Sequence, residues 1–245
     1  KHVINLGSGH QESVLSDHEA KEKSIQDLLG ILERCQFYQF HDTSAAAAIR
    51  QGSSLERCHS LQSDGGNLPA YLYFLRQNYP DYFIRIVETV RLVFPHFREF
   101  ILREAQNGYI SLAWIEEEKG ILFDAHQLSD GTLRFVALAT LLLQPDDLLP
   151  HIILIDEPEL GLHPFAVRIL SSMIEGAAER SQIILATQSV EIVDSIDPNS
   201  IIVAERPEHE TIFRRLEAAQ YADWLQDYSL GDLWKKNVIG GRPSI

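Results

Sequence analysis

The chain has little cysteine. Cys35 and Cys58 are the two in 245 residues, and both stand among Arg, Gln, His and Ser. Neither has a second Cys or a His pair at ligand spacing, so no zinc or redox-pair signature is present and nothing calls for a disulfide. Long hydrophobic runs are absent too. No apolar stretch approaches the roughly 20 residues that a bilayer span needs. The opening KHVINLGSGH lacks the apolar segment of a signal peptide. A reducing, cytoplasmic setting is the expectation. Basic charge is scarce: 21 Lys and Arg stand against 35 Asp and Glu, a formal net charge of −14. That excludes broad, nonspecific coating of DNA, which needs clustered cations. Arg206, Arg214 and Arg215 leave room only for a local basic patch. An initiator Met is also lacking, which points to a fragment or a processed chain. What remains is 45% hydrophobic and 23% charged, the composition of a globular protein with a sizeable core, as one large domain or two small ones.

Residues 1–63 read as strands and loops. FYQFHDTS (37–44) looks like a strand running into a turn. The small, polar stretch 45–67 reads as a mobile connector. Residues 64–127 read as a helical subdomain with a return strand, helical over 68–106. Phe83, Ile86, Val87, Val90 and Phe94 form one stripe, Pro80 fits a first helical turn and Pro95 stops it. YISLAWIEEE (109–118) alternates as a strand should, and GILFDAHQLS (120–129) gives another short strand and a loop. From 128 to 245 the rhythm is helix, strand, helix, strand. Ser129 or Asp130 can cap a helix that Pro145 ends. HIILID (151–156) and SQIILATQS (181–189) are continuous apolar runs, the mark of strands covered on both faces. Between them lies an amphipathic helix that Pro164 starts, with Phe165, Ile169, Met173 and Ala177 as its stripe. SIIVAER (200–206) and TIFRRL (211–216) look like edge strands or a hairpin. The order predicts an α/β fold with a mostly parallel sheet.

In such sheets ligands bind beyond the carboxyl ends of the strands. Asp156 and Glu157 sit at one such end, and Thr187, Gln188 and Ser189 at the next. An Asp there can hold Mg²⁺ and leave positions for phosphate oxygens. A neighbouring Glu points elsewhere and can polarise an attacking water. Two solvated acids closing a strand would look the same for a single Asp-Glu pair, but Asp-Glu-Pro-Glu followed by Leu-Gly-Leu-His-Pro is far more particular.

ILIDEPELGLHP resembles the Walker B and D-loop segment of ABC-type ATPase heads, the group that includes the chromosome-maintenance (SMC) and RecF-like proteins. LSDGTLRFVAL (128–138) resembles their signature loop and the helix after it, and IILATQS (183–189) their switch strand. The ending LGDLWKKNVIGGRP is similar to that of RecF-like ATPases. The resemblance implies a P-loop NTPase fold with a helical subdomain, ATP and Mg²⁺ as cofactors, and an ATP-dependent homodimer. It implies Asp156 as the metal ligand, Glu157 as general base and Gln188 as sensor of the γ-phosphate. Ser129, Asp130 and Gly131 would reach the nucleotide of the other subunit. Backbone N–H groups and the helix dipole at that loop favour a phosphate. Two positions depart from the family pattern. Asp130 stands where Gly is common, and a carboxylate beside a triphosphate must face a cation, Mg²⁺ or the backbone, or serve as the helix cap. Gln188 stands where His is common. It can hydrogen-bond a phosphate oxygen or water but takes no proton, which leaves Glu157 as the base.

No G-x-x-x-x-G-K-[ST] phosphate loop occurs in the sequence, and GSG at 7–9 has no following Lys at the right spacing. The chain is therefore expected to be the C-terminal portion of a head, and inactive alone. His163 reads as a helix-start and interface residue, and Trp224 and Trp234 as packing. Three functions stay open: an ATPase that acts as a dimerising switch, a noncatalytic nucleotide-dependent regulator, and a subunit of a DNA-repair or phage-defence complex whose effector is another chain. DNA and a protein effector are the partners these readings allow.

Overall fold

The computed structural model describes residues 23–33, 35–105, 107–206 and 210–241. The Gly-Ser-Gly at 7–9 lies outside them. The described chain opens with helix α1 (Lys23–Glu33) and strand β1 (Cys35–Tyr38). Two 3-10 turns (Ala48–Arg50 and Leu55–Arg57) flank the short strand β2 (Ser53–Ser54). Helices α2 (Leu68–Asn78) and α3 (Pro80–Val93) come next, then strands β3 (Phe97–Glu104), β4 (Tyr109–Glu116) and β5 (Leu122–Asp124). A 3-10 turn (Ala125–Gln127) leads into α4 (Asp130–Leu142). Then come β6 (Ile152–Asp156), α5 (Pro164–Ala178), β7 (Gln182–Ala186), α6 (Val190–Ser195), the hairpin β8 (Ile202–Glu205) and β9 (Ile212–Arg215), and α7 (Leu230–Lys235).

β6 runs parallel between β1 and β7, with Phe37 beside Leu154 beside Ile184. A second, antiparallel sheet sets β4 between β2 and β3, with β5 also on β4. The molecule is thus α/β, with a parallel sheet whose carboxyl ends all point one way. α4 is apolar nearly all round. Its residues 135–142 are buried without a break, the mark of a helix inside a core. It packs between α3 and α5, and the main core gathers around it with Ile153 and Ile155 of β6. A smaller core of Val203, Leu216, Leu230, Leu233 and Ile239 holds the C-terminal hairpin to α7.

Five sequence expectations change. Residues 23–33 are helical, and the 3–4 spacing of Ile25, Leu28, Leu29 and Leu32 is the reason. Residues 97–104 form a strand, not a helix. A bulge between Phe97 and Glu99 breaks the period of two, so Phe97 and Phe100 both turn inward with ring centroids 4.5 Å apart. The stretch 45–67 is packed: Ile49, Arg50, Ser53, Cys58, Leu61 and Asn67 are buried. Its small residues permit close approach and its polar ones find partners, with Asn67 Nδ2 donating to the Ser60 carbonyl at 2.7 Å. β7 is not buried. It is an edge strand among the described residues, with Ile184 48% exposed. On α5 the buried face is Ala166, Val167, Leu170, Met173, Ile174 and Ala177, while Phe165 stays exposed.

Candidate functional site

β6 delivers Asp156 and Glu157 where the parallel sheet ends. The Glu157 N–H donates to the Ala186 carbonyl at 2.8 Å, one step beyond the last strand pair. Glu157 then turns with φ +42°, a left-handed backbone that a side chain rarely adopts. Such strain persists only where surrounding structure holds it, and it is a pointer to function. Among the described residues no hydrogen bond engages the Glu157 carboxylate, so its oxygens are free for a ligand or water.

The turn 157–163 is tied to the end of β7 by Glu159. Its Oε1 accepts from Thr187 Oγ1 at 2.7 Å and from the Gln188 N–H at 3.2 Å. Its Oε2 is buried with no partner among the described residues. Ser189 Oγ caps α6 by accepting from the Ile192 N–H and donates to Glu191 Oε2 at 2.9 Å. The helix-start N–H of Glu191 itself and then the Ser189 hydroxyl hold that carboxyl below its usual range. Between these loops and α5 lies a cleft of about 420 Å³. Glu157, Glu159, Gln188 and Glu191 supply its polar wall, and Leu162 and Val167 part of its apolar floor. Among the described residues no Lys or Arg lines it.

β1 ends beside the same acids. His41 Nε2 donates to the Asp156 carbonyl at 3.2 Å, and His41 Nδ1 meets Gln39 Nε2 at 3.1 Å. Arg134 of α4 fastens this segment to the Glu157 turn. Its Nε donates to the Phe40 carbonyl at 3.0 Å, Nη2 to the His41 carbonyl at 2.8 Å, and Nη1 to the Leu160 carbonyl at 3.2 Å.

The start of α4 forms a second group. Ser129 is the cap: its Oγ accepts from the Thr132 N–H at 3.1 Å. Asp130 faces a cation, Arg50, whose Nη2 lies 2.6 Å from Oδ1. Gly131 packs on the turn after Glu157, where a β-carbon would collide with the Gly161 carbonyl oxygen. Gly161 needs its own φ of +74° and touches Arg134. So the structure brings Asp156, Glu157 and Gln188 together at the sheet end. It sets Ser129, Asp130 and Gly131 on the far side of the 160–162 turn, outside the cleft. His163 is the cap of α5, its Nδ1 accepting from the Phe165 N–H. Trp234 packs partly on the C-terminal core, while Trp224 is exposed beside Tyr228. Sequence reasoning passed over Gln39, His41, Arg50, Arg134 and Glu159. Of these only Glu159, within the acidic run itself, carried a local signal.

An oxygen donor at a strand end, with an acid next to it, suits a Mg²⁺ ion that keeps waters and phosphate oxygens for its remaining positions. Among the described residues no cluster of three or more His, Cys, Asp or Glu could hold a metal alone.

No curated protein matches the sequence. Among solved structures, the SMC head domain of Pyrococcus furiosus, with an extended coiled coil and bound to the C-terminal domain of ScpA, is similar at a TM-score of 0.51 and 15% identity. The match covers 64% of this chain and 39% of that one. The SMC head with coiled coil and joint from Pyrococcus yayanosii gives 0.49 and 15%, over 86% of this chain and 34% of that one. An SMC ATPase solved in work on ATP-driven dimerisation and DNA-stimulated activation gives 0.47 and 16%, over 64% and 99%. This chain therefore spans well under half of the two Pyrococcus proteins. The sequence profile of the family described as "AAA domain, putative AbiEii toxin, Type IV TA system" matches residues 5–194. The acids stand at the end of a parallel strand within the fold of an SMC-type head, and with the profile matched over most of its length the chain belongs to this AAA-domain family.

Proposed function

We propose that this chain is the catalytic and signature portion of an ATP-hydrolysing head that dimerises around nucleotide and works in the cytoplasm as a switch. The observation that carries this reading is the pair Asp156–Glu157, with Glu157 in a strained left-handed backbone and its carboxylate unengaged beside Gln188. Asp156 would hold the Mg²⁺ of Mg-ATP, which supplies charge neutralisation at the phosphates. Glu157 takes a proton from the attacking water. Gln188 hydrogen-bonds that water or a γ-phosphate oxygen. The placement of Ser129 and Gly131 outside the cleft supports a role on the nucleotide of the other subunit.

The cleft's three carboxylates, with no Lys or Arg among the described residues that line it, support a further point. A polyphosphate meets repulsion there unless cations and backbone donors come from elsewhere. The residues here therefore act on a nucleotide that they do not hold unaided, and the chain alone is a poor ATPase. A DNA or protein partner would be engaged by the dimer that ATP assembles.

The test is Glu157→Gln in the full-length protein, including any residues that precede Lys1. ATP turnover should fall by about two to four orders of magnitude, the usual contribution of a positioned base. ATP binding should survive and ATP-loaded dimers should accumulate. Unchanged steady-state turnover would remove Glu157 from the mechanism and with it this reading.

A further inference from the structure

Arg50 is a buried cation in a segment that carries no other charge from Thr43 to Leu55. Its side chain is 6% exposed. Burial of a guanidinium is costly unless its donors are met. Here they are met from three directions. Nε donates to the Thr43 carbonyl at 2.7 Å, and Nη1 to the carbonyls of Ala125 at 2.8 Å and Leu128 at 3.0 Å. Nη2 donates to Asp130 Oδ1 at 2.6 Å. The three carbonyls alone would stitch the loops together. The fourth partner does something else. The Asp130 side chain is 63% exposed, so solvation does not require it to turn back. Left unpaired, its charge would stand at the first turn of α4 beside Ser129, where it would repel a phosphate.

The geometry points to Arg50 as a positioning residue that cancels the charge of Asp130 and fixes it to the chain leaving β1, so that the Ser129–Gly131 loop can face a nucleotide phosphate. The inference rests on the nucleotide reading above. It explains how a carboxylate occupies a loop meant for a polyanion. The Arg50 hydrogen bond first, and that of Thr43 second, hold the Asp130 carboxyl below its usual range, so Asp130 carries its charge at neutral pH. It also explains why an arginine is built in: a fork of donors reaches carbonyls and carboxylate at once, which a lysine ammonium does not match in geometry.

The experiment is a double-variant cycle in the full-length protein, with ATP turnover measured against ATP concentration. Arg50→Met should raise the half-saturating concentration by about tenfold or more, because it strips three carbonyls and uncovers a carboxylate. Asp130→Asn should raise it by less than Arg50→Met does, because the amide frees the loop but leaves no charge to repel a phosphate. The two together should recover at least about threefold over Arg50→Met, since the repulsion is then gone. A purely structural clip predicts no recovery, and that result would overturn the inference. If Arg50→Met does not fold, Arg50→Gln with and without Asp130→Asn carries the same comparison. Absence of turnover in the wild type would refute the nucleotide reading instead. Amide exchange then decides the rest: Asp130→Asn should speed exchange at Thr132 and Leu133, whose N–H groups bond to Ser129. Unchanged protection there would show that Arg50 and Asp130 fix nothing.

Discussion

The core around α4 and the loops at the sheet's carboxyl end hold together by different physics. In the core, Leu133, Phe135, Leu138 and Leu141 are sealed among other apolar side chains, and the driving force is area removed from water. At the sheet end, little apolar area is at stake. Arg134, Arg50, Glu159 and His41 bridge segments far apart in the chain, each through backbone groups as well as side chains. Apolar packing tolerates exchange at constant volume. A guanidinium fork on three carbonyls does not. Stability should therefore reside mainly in one region and activity in the other, and substitutions can test whether that division is sharp.

The largest effect should come from the loops. A Ser129→Arg chain and a Glu157→Gln chain should each be inactive as homodimers of the full-length protein. If Ser129 serves the opposite subunit, a mixed dimer has one site with both lesions and one with neither. Equal mixing makes half of the dimers mixed, each with one of two sites intact, so about a quarter of the wild-type rate should return. No recovery after verified subunit exchange would place both groups in one subunit's site and would leave the separation of Ser129 from the cleft without a purpose.

In the core, Phe135 is 1% exposed. Phe135→Ala should cost about 3–5 kcal/mol in chemical denaturation, from lost transfer energy plus the cavity. Turnover per folded molecule should hold. A fall in turnover with little loss of stability would show that α4 transmits strain to Arg134 and would erase the division.

The division also separates what could be read from sequence. Asp156, Glu157, Gln188 and Ser129, the residues proposed for the site, stand out in the sequence because of their immediate neighbours: an apolar strand, a Pro, a helix start. Arg50 and Arg134 do not, because their partners lie 80 and 93 positions away and no local pattern marks them. Asp130 was legible as a problem, a negative charge in a loop proposed to face a phosphate, but its solution was not. The fold shows the same split. α3 follows its apolar periodicity. β3 escapes it because one bulge residue puts Phe97 and Phe100 on the same side. β7 has the sequence of a covered strand, yet lies at an edge among the described residues.

Tyr38 stands on the boundary, three residues before His41 but facing the core. Burial pushes its phenol from the ordinary value near 10 up to about 12. Tyr71, deeper still, shifts the same way. Below pH 10 the folded and unfolded chains both keep these protons, and the stabilisation is fully present. From about pH 10 to 12 the unfolded chain loses the Tyr38 proton and the folded one keeps it, so stability falls by about 2–3 kcal/mol. Denaturation at pH 9 and pH 11 measures the slope. Tyr38→Phe should remove its share and leave that of Tyr71. An unchanged slope would mean that Tyr38 is not a core residue in solution.

The smallest effect probes the strain at Glu157 itself. A left-handed backbone costs a non-glycine residue roughly 1–2 kcal/mol. Glycine relieves that but adds unfolded-state freedom worth about 0.5–1 kcal/mol. Glu157→Gly should therefore stabilise the fold, by about 0.5–1 kcal/mol net. Loss of charge near Glu159 and Glu191 would also stabilise, so Glu157→Gln is the proper reference: it removes the charge and keeps the strain. Both variants should lack turnover, and only the glycine should gain the further increment in denaturation midpoint. Equal midpoints would mean that the turn after β6 carries no strain. The sheet end would then be held as comfortably as the core, and its polar contacts would need another explanation than forcing Glu157 towards its cleft.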